Sequence, residues 1–357
     1  MKSTNVIGDG KMKVTAVVGA QYGSEGKGSI VRAIANEYAI HVRTGGPNAG
    51  HTIHHMGETY KMQVIPCGWV NPEAILVIGR GAMLDFDRLQ TEMDGLTRNN
   101  YSISNRLMID KQCSMLESAH HQMEGGIQGP MHKSIGSTGE GVGACRMHRM
   151  ERSPNGGHKM AGDYPQLQDT GMLTDTVEYF HTMKNWGSTV LLEGTQGAGL
   201  SLVHGDWPYV TSADTTAGQF AVDAGLNPRQ ITDVILVART YPIRVAGNSG
   251  PLFGEITWDH ISERMGREVV ETTTVTGKVR RIGQWDEELF IKACRLNGPT
   301  QVAINFMDYL SPADEGVDKY DDLSKTSRQF VEYLERLADC PVTMIGTGGP
   351  KCEVIRR

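Results

Sequence analysis

The sequence predicts an α/β protein, a large and mainly parallel doubly wound sheet with a P-loop-like phosphate loop. Three observations point there. A β-branched run, Val14-Thr-Ala-Val-Val18, leads through a glycine- and lysine-bearing loop into Ile30–Tyr38, which has helical spacing. Continuous apolar runs recur along the chain and end in glycine-rich turns, as strands buried on both faces do. Segments of helical period lie between those runs, the alternation expected of crossover connections. The 357 residues, 39% of them hydrophobic, suit a sizeable core. With no linker or internal repeat standing out, residues 1–357 read as one domain.

In the first loop, Gly19, Gly23, Gly26 and Gly28 let backbone N–H groups approach a polyphosphate, Lys27 adds a compact cation, and the following helix presents its positive end. The loop is not a Walker A. Gln21 stands where that pattern needs glycine, and Gly28 follows the lysine in place of serine or threonine. A glycine loop serving only as a tight turn is the alternative. Ala39–Arg43 reads as a second strand running into the loop Thr44–Thr52, and two such loops at strand ends suggest one bipartite site. Ile75–Gly79, Val190–Glu193 and Val234–Ala238 are further strands; Asp87–Leu96, Leu173–Trp186, Glu287–Leu296 and Ser327–Leu337 read as helices. Ligands should gather at the carboxyl ends of the strands. The acidic stretch Ser311–Asp322 reads as a solvated loop.

A net charge of -6, from 35 basic and 41 acidic residues, gives no basic field for a nucleic-acid polymer or an anionic membrane, so small molecules are the expected partners. The six cysteines are dispersed without a C-x-x-C pair, which fits reduced thiols and no zinc. No window approaches the roughly 18 apolar residues of a membrane span, and the beginning of the sequence has no sustained apolar stretch. A cytoplasmic protein is expected.

Eight segments, in order, resemble the adenylosuccinate synthetase family. They are Gln21-Tyr-Gly-Ser-Glu-Gly-Lys-Gly28, Asn48-Ala-Gly-His-Thr52, Ile135-Gly-Ser-Thr-Gly139, Glu193-Gly-Thr-Gln-Gly197, Pro208-Tyr-Val-Thr-Ser212, Thr215-Thr-Ala-Gly218, Thr276-Gly277 with its basic run, and Gly346-Thr-Gly-Gly-Pro350. The resemblance covers nearly the whole chain. It implies a ligase that transfers a γ-phosphoryl group to O6 of a purine monophosphate and lets the amine of aspartate displace phosphate, chemistry that rests on positioning and charge neutralisation. Lys27, His51, Gln196 and the residue at position 24 would serve catalysis, His51 by donating a proton or hydrogen bond. The triphosphate would meet Gly23, Ser24, Glu25, Gly26, Lys27, Gly28, Ser29, Gly50, His51, Thr52, Arg280, Asp308, Thr347, Gly348 and Gly349. The monophosphate would meet Ser24, Asn48, Ala49, Thr138, Gln196, Thr211, Val245 and Lys278, with Arg152 supplied by the neighbouring subunit of a homodimer. Aspartate would meet Thr274, Val275, Thr276, Gly277, Lys278 and Arg280. Mg²⁺ is the implied cofactor, with Ser24 and the carbonyl of Gly50 among its ligands. His54 and His55 read as structural or surface residues, because the glycine-rich start of their segment argues against the helix on which they could join His51 around a metal.

Four departures from the family pattern matter. Ser24 stands where the family carries an aspartate that takes the purine N1 proton and helps bind magnesium; a lost general base costs ~10²–10⁴ in rate. Serine there resembles the phage branch of the family, which acts on deoxyguanylate in making diaminopurine DNA, and it leaves room for a 2-amino group. The N1 proton would then leave to Glu25, a bound water or the phosphate. Phe306, in Asn305-Phe-Met-Asp308, replaces the lysine of the guanine-reading Thr-Lys-x-Asp, so ATP or dATP becomes the expected donor. Glu140 stands where arginine is usual and has no evident role. Lys278 also replaces arginine and cannot grip a carboxylate bidentately. The expected reaction is therefore aspartate plus dGMP, driven by ATP or dATP, giving N6-succino-2-amino-2′-deoxyadenylate, in a host cytoplasm if the chain is phage-encoded. An ordinary member using inosinate and GTP, or an inactive nucleotide-binding regulator, are the alternatives. A dinucleotide-binding dehydrogenase is weaker still, since the first loop lacks Gly-x-Gly-x-x-Gly.

Overall fold

The structure is a computed structural model that describes residues 11–184, 186–273, 277–348 and 354–357. Its main sheet has ten strands. In spatial order they are Val354–Arg356, Val342–Gly346, Gln301–Asn305, Ile231–Arg239, Lys13–Gly19, Thr189–Glu193, Ile40–Arg43, Ile75–Ile78, Leu107–Asp110 and Leu173–Thr174. All neighbours pair in parallel except the antiparallel edge Val354–Arg356.

Side chains on the central strand alternate between two cores. Val14, Ala16 and Val18 enter one cluster with Phe180, Phe220, Phe290 and Val331; Val17 enters the other with Ile30, Val31, Trp69 and Leu89. Each such fully buried aliphatic or aromatic side chain is worth about 1.5–3 kcal/mol relative to exposure. The helices Ala217–Ala224, Glu287–Asn297 and Lys325–Ala338 thus cover one face, and Lys27–Ile34 and Phe86–Arg98 the other. That is the doubly wound arrangement the sequence implies. Asp85, Asp175, Thr216, Asp286 and Ser324 each cap a helix by accepting backbone N–H bonds.

A small antiparallel sheet, Ile243–Arg244, Arg281–Gly283 and Glu255–Ile256, packs with the helix Trp258–Met265 around Tyr241, Ile261 and Ile282. It anchors the segment that leads to Arg280.

Several boundaries differ from the sequence reading. The first helix starts at Lys27 and ends at Ile34, and Ala35–Glu37 is a 3₁₀ turn. His51 opens a strand, His51–His55, that pairs antiparallel with Glu58–Met62. Leu173–Thr174 is an edge strand, and only Thr176–Met183 is helical, because the Asp175 carboxylate accepts from the N–H groups of Val177 and Glu178 and sets the helix start there. The acidic stretch is not wholly solvated: Asp314 is buried, accepting from the N–H and hydroxyl of Ser324 and the hydroxyl of Ser327. Among the described residues, no helix is long and apolar enough to cross a membrane.

Candidate active site

The loop after the first strand is shaped by left-handed backbone: Gly23 has φ 84, Ser24 φ 58 and Gly26 φ 85. Successive residues turned this way form a concave nest of N–H groups suited to anions. Glu25 holds the nest from beneath. Fully buried, it accepts from the N–H groups of Gln21 (3.1 Å) and Gly23 (2.8 Å), and its other oxygen lies 2.5 Å from the Lys27 ammonium. Lys27 also donates to the carbonyl of Gln196 at 2.5 Å. From neighbouring strands, Arg239 donates to the Ser24 carbonyl (3.1 Å) and Asn305 to the Glu25 carbonyl (2.7 Å). Glycine at position 28 has its own cause, since a Cβ there would lie 2.9 Å from the Thr52 carbonyl.

Two clefts open above this loop. Asn48, Ala49, Thr138, Gln196, Thr211 and Val245 line the first, which is the set expected to receive the monophosphate. Gly26, Gly28, Ser29, Thr52 and Gly348 line the second, the set expected to receive the triphosphate. Among the described residues, five line both: Ser24, Lys27, Gly50, His51 and Arg280. Burial lowers Arg280 to about 10, which leaves it a cation at neutral pH.

Other expected contacts fall elsewhere. Gly23 faces the first cleft, not the second. Glu25 lines neither; with both oxygens engaged beneath the loop it is a support for Lys27, and it is not positioned to take a purine proton. Thr347 is buried, its hydroxyl donating to the Val317 carbonyl at 2.8 Å. Arg152 is exposed at the end of the helix Val142–Glu151 and faces neither cleft. Gly277 and Lys278 are hydrogen-bonded to Thr273, and neither lines a cleft. Thr274, Val275, Thr276 and Gly349 lie outside the described residues.

His51 is fixed by a buried cluster. Its Nδ1 is 2.5 Å from Oε1 of Glu193, and Arg43 Nη1 reaches the same oxygen at 2.7 Å, while the second Glu193 oxygen accepts from the Cys67 N–H at 2.6 Å. Burial alone would raise the Glu193 carboxyl, but the Arg43 charge and the His51 hydrogen bond bring it to about 2. Burial, then the charge of Arg43, brings His51 down to about 4. The pair is a carboxylate and a neutral imidazole, with the hydrogen on Nδ1 donated to Glu193, and Nε2 is left as an acceptor for the clefts. Donation from His51 to a phosphoryl group, as expected from sequence, therefore requires protonation first; the charge of a bound polyphosphate favours it.

The adenylosuccinate synthetase family profile matches residues 16–169 and 157–317. The adenylosuccinate synthetase of Methanocaldococcus jannaschii is 40% identical over 337 residues, covering 94% of each chain, and that of Pyrococcus horikoshii is 37% identical over 96% of this chain and 98% of its own. The chain belongs to the adenylosuccinate synthetase family. Its activity class follows: a nucleotide-dependent carbon–nitrogen ligase. Two solved structures share the fold. The fully ligated adenylosuccinate synthetase of Plasmodium falciparum superposes with a TM-score of 0.82 at 21% identity, over 96% of this chain and 99% of that one. The succinoaminodeoxyadenylate synthetase of cyanophage S-2L, bound to dGMP and to dATP as an energy donor, superposes with a TM-score of 0.80 at 27% identity, over 97% and 95%.

Within this family frame the departures have physical settings. Ser24 sits where the clefts meet, so no carboxylate stands at that point. Phe306 lines the second cleft with the Arg239 guanidinium 3.9 Å over its ring. Arg239 is itself held by Glu271 at 2.5 and 3.1 Å. Asp308 is buried just behind Gly348, where a Cβ would lie 2.6 Å from its carboxylate, and burial pushes its pKa up to about 7. Glu140 pairs with Arg88 at 3.0 Å; Arg88 also binds Gln63, which donates to the Pro47 carbonyl at 2.5 Å and so braces the loop that carries Asn48.

Arg43 and Arg244 are site residues that no sequence motif singles out, and Tyr22 and Glu193 appear in the sequence only as letters of motifs. Arg244 stacks 3.7 Å over the Tyr22 ring and pairs with Asp206 at 2.7 Å, and both Tyr22 and Arg244 line the first cleft. The available signal was a charge ending an apolar strand, Arg43 after Ile40-His-Val and Glu193 after Val190-Leu-Leu. A second group of imidazoles, His120, His148 and His158, is joined to its surroundings by hydrogen bonds. The Glu117 N–H donates to His120 Nδ1, so His120 Nε2 carries a hydrogen that goes to His148 Nδ1 (3.0 Å each), and His148 Nε2 donates to the Gly156 carbonyl (2.7 Å).

Proposed function

We propose that this ligase joins L-aspartate to dGMP, using ATP or dATP, and forms N6-succino-2-amino-2′-deoxyadenylate through a 6-phosphoryl intermediate. The observation that carries the acceptor assignment is Ser24 at the wall shared by both clefts. A short hydroxyl leaves space beside purine C2, where guanine has an amino group and hypoxanthine a hydrogen. The cyanophage synthetase, 27% identical, was solved with dGMP and dATP, which supports the same substrates. Phe306 in the donor cleft supports an adenine nucleotide, since an apolar ring replaces a lysine against the base.

In this reading the loop nest and Lys27 hold the triphosphate, and the terminal Pγ–O bond breaks as a bond to O6 forms, aligned across the shared wall. Proximity of this kind is the main catalytic resource of phosphoryl transfer. Lys27, Arg280 and protonated His51 stabilise the charge on the moving group. Aspartate nitrogen then bonds to C6 and phosphate departs. The N1 proton leaves to water or to the transferred phosphate, because Glu25 is engaged beneath the loop. Mg²⁺ is the proposed cofactor. Ser24 and the Gly50 carbonyl, both on the shared wall, offer only oxygen donors, which fits a hard cation that takes its remaining ligands from phosphate and water. When bound, it would neutralise phosphate charge. Residues 1–357 are proposed to act as one domain and as a homodimer, with Arg152 serving the neighbouring subunit's cleft.

A second reading, inosinate with GTP, is favoured by the names of the archaeal relatives. Phosphate release, measured with each monophosphate and triphosphate in turn, separates the two. The proposal expects release only with aspartate, Mg²⁺ and a purine monophosphate together, with dGMP and ATP or dATP the best pair. A kcat/KM that favours inosinate or GTP would reject it.

A further inference from the structure

Nζ of Lys278 lies 2.9 Å from Nε2 of His132, on the helix Pro130–Ile135. The other ring nitrogen of His132, Nδ1, is 2.5 Å from the Ser137 carbonyl. A carbonyl only accepts, so Nδ1 carries the hydrogen, and in the neutral ring Nε2 is the lone-pair nitrogen to which the ammonium donates. The backbone thus fixes the tautomer that suits a cation. His132 also joins two parts of the first cleft. Ser137 and Thr138 line that cleft, and Lys278 is bonded to Thr273, another lining residue, through its own N–H to the threonine hydroxyl (3.1 Å) and through its carbonyl to the threonine N–H (2.8 Å).

We propose that His132 is a positioning residue for aspartate: it holds the Lys278 ammonium beside the cleft and, through Ser137, ties that placement to the loop carrying Thr138. The proposal rests on the reading of Lys278 as a cation that receives an aspartate carboxylate. A lysine has a flexible four-carbon stem and no fork with which to orient itself, so immobilising it on binding costs rotamer entropy that an external partner can remove beforehand. The imidazole is that partner.

Three substitutions separate the two arms of the ring. Asparagine can place its amide near the position of Nδ1 and keep the Ser137 contact while losing Lys278. Glutamine can place its carbonyl near Nε2 and keep Lys278, and leucine loses both. His132→Leu should raise the aspartate KM about tenfold with kcat and the monophosphate KM within about twofold. His132→Gln should restore most of that loss and His132→Asn little of it. Lys278→Ala should raise the aspartate KM at least as much, and His132→Leu should add nothing further to it, the non-additivity of residues acting through one contact. Circular dichroism checks that each variant is folded. An unchanged aspartate KM in His132→Leu beside a raised one in Lys278→Ala overturns the proposal alone, as does rescue by asparagine and not glutamine. An unchanged KM in Lys278→Ala overturns both the proposal and the role of Lys278. A wild-type chain that releases no aspartate-dependent phosphate overturns the functional reading itself.

Discussion

The hydrogen on Nδ1 of His51 is held by Glu193 at 2.5 Å, and that contact leaves the imidazole one nitrogen for a ligand. An amide at position 193 keeps the shape and removes the charge that supports protonation of Nε2. Glu193→Gln should lower kcat by ~10²–10⁴, the usual weight of a proton-transfer group, with smaller changes in KM for all three substrates. Arg43 loses its buried partner in that variant, so a lower Tm is also expected, on the order of the 3–5 kcal/mol seen when a buried pair is broken. Kinetics on folded protein, confirmed by circular dichroism, check it. Ser24 gives the second prediction at this scale. Its φ of 58 lies in the left-handed region that aspartate tolerates better than most side chains, so Ser24→Asp fits the backbone. It should shift the ratio of kcat/KM from dGMP toward inosinate; an unchanged ratio would separate position 24 from acceptor choice. His51, Lys27 and Gln196 were legible in the sequence because they sit in glycine-rich motifs. Glu193 was legible only as a motif letter, since its work depends on Arg43, distant in sequence and adjacent in space.

Among elements, the phosphate loop is held less by its own strand than by two others. Asn305, at the end of Gln301–Asn305, donates to the Glu25 carbonyl, and Arg239, at the end of Ile231–Arg239, donates to that of Ser24. Asn305→Ala leaves a buried carbonyl without its donor, a loss of about 1–3 kcal/mol. The triphosphate KM should rise about tenfold while the monophosphate KM changes little. Equal increases in both would show that the brace serves the whole wall and not the loop. The strands with long β-branched or leucine-rich runs were readable from periodicity. Gln301–Asn305 and Val342–Gly346 are short apolar runs that periodicity cannot separate from helix or loop. The Leu173–Trp186 helix was overextended because its first two residues fit a helical stripe, while the Asp175 cap that sets the boundary is a hydrogen-bond fact.

Across the molecule, acid should weaken the fold in a definite window. His41, in the strand Ile40–Arg43, is buried against Gly68, donates from Nε2 to the Ala35 carbonyl at 3.0 Å, and is lowered by burial to about 4 from 6.5. The unfolded chain therefore binds its proton more readily than the folded one. Stability is full above pH 6.5 and falls as pH drops toward 4, by about 3 kcal/mol at most for this residue. His51 adds to the slope in the same direction, while Asp308, raised by burial to about 7, opposes it without cancelling the two imidazoles. Melting curves across that range should show a falling Tm, and His41→Gln, which cannot titrate, should flatten the slope. The parallel sheet itself was legible in the sequence, because alternation of strand and helix admits few other layouts. The meeting of the clefts was not, since it depends on where Arg280 returns to the sheet from the small antiparallel unit.

That meeting also constrains how such an enzyme can diverge. Ser24, Lys27, Gly50, His51 and Arg280 each face both clefts, so under the proposed function a substitution at any of them is felt by donor and acceptor at once. Phe306 faces the second cleft alone and Asn48 the first alone. A lineage can exchange one triphosphate for another by altering the private wall, leaving the acceptor untouched. A change in the common wall calls for adjustment on both sides, so donor and acceptor preferences are expected to travel together through descent.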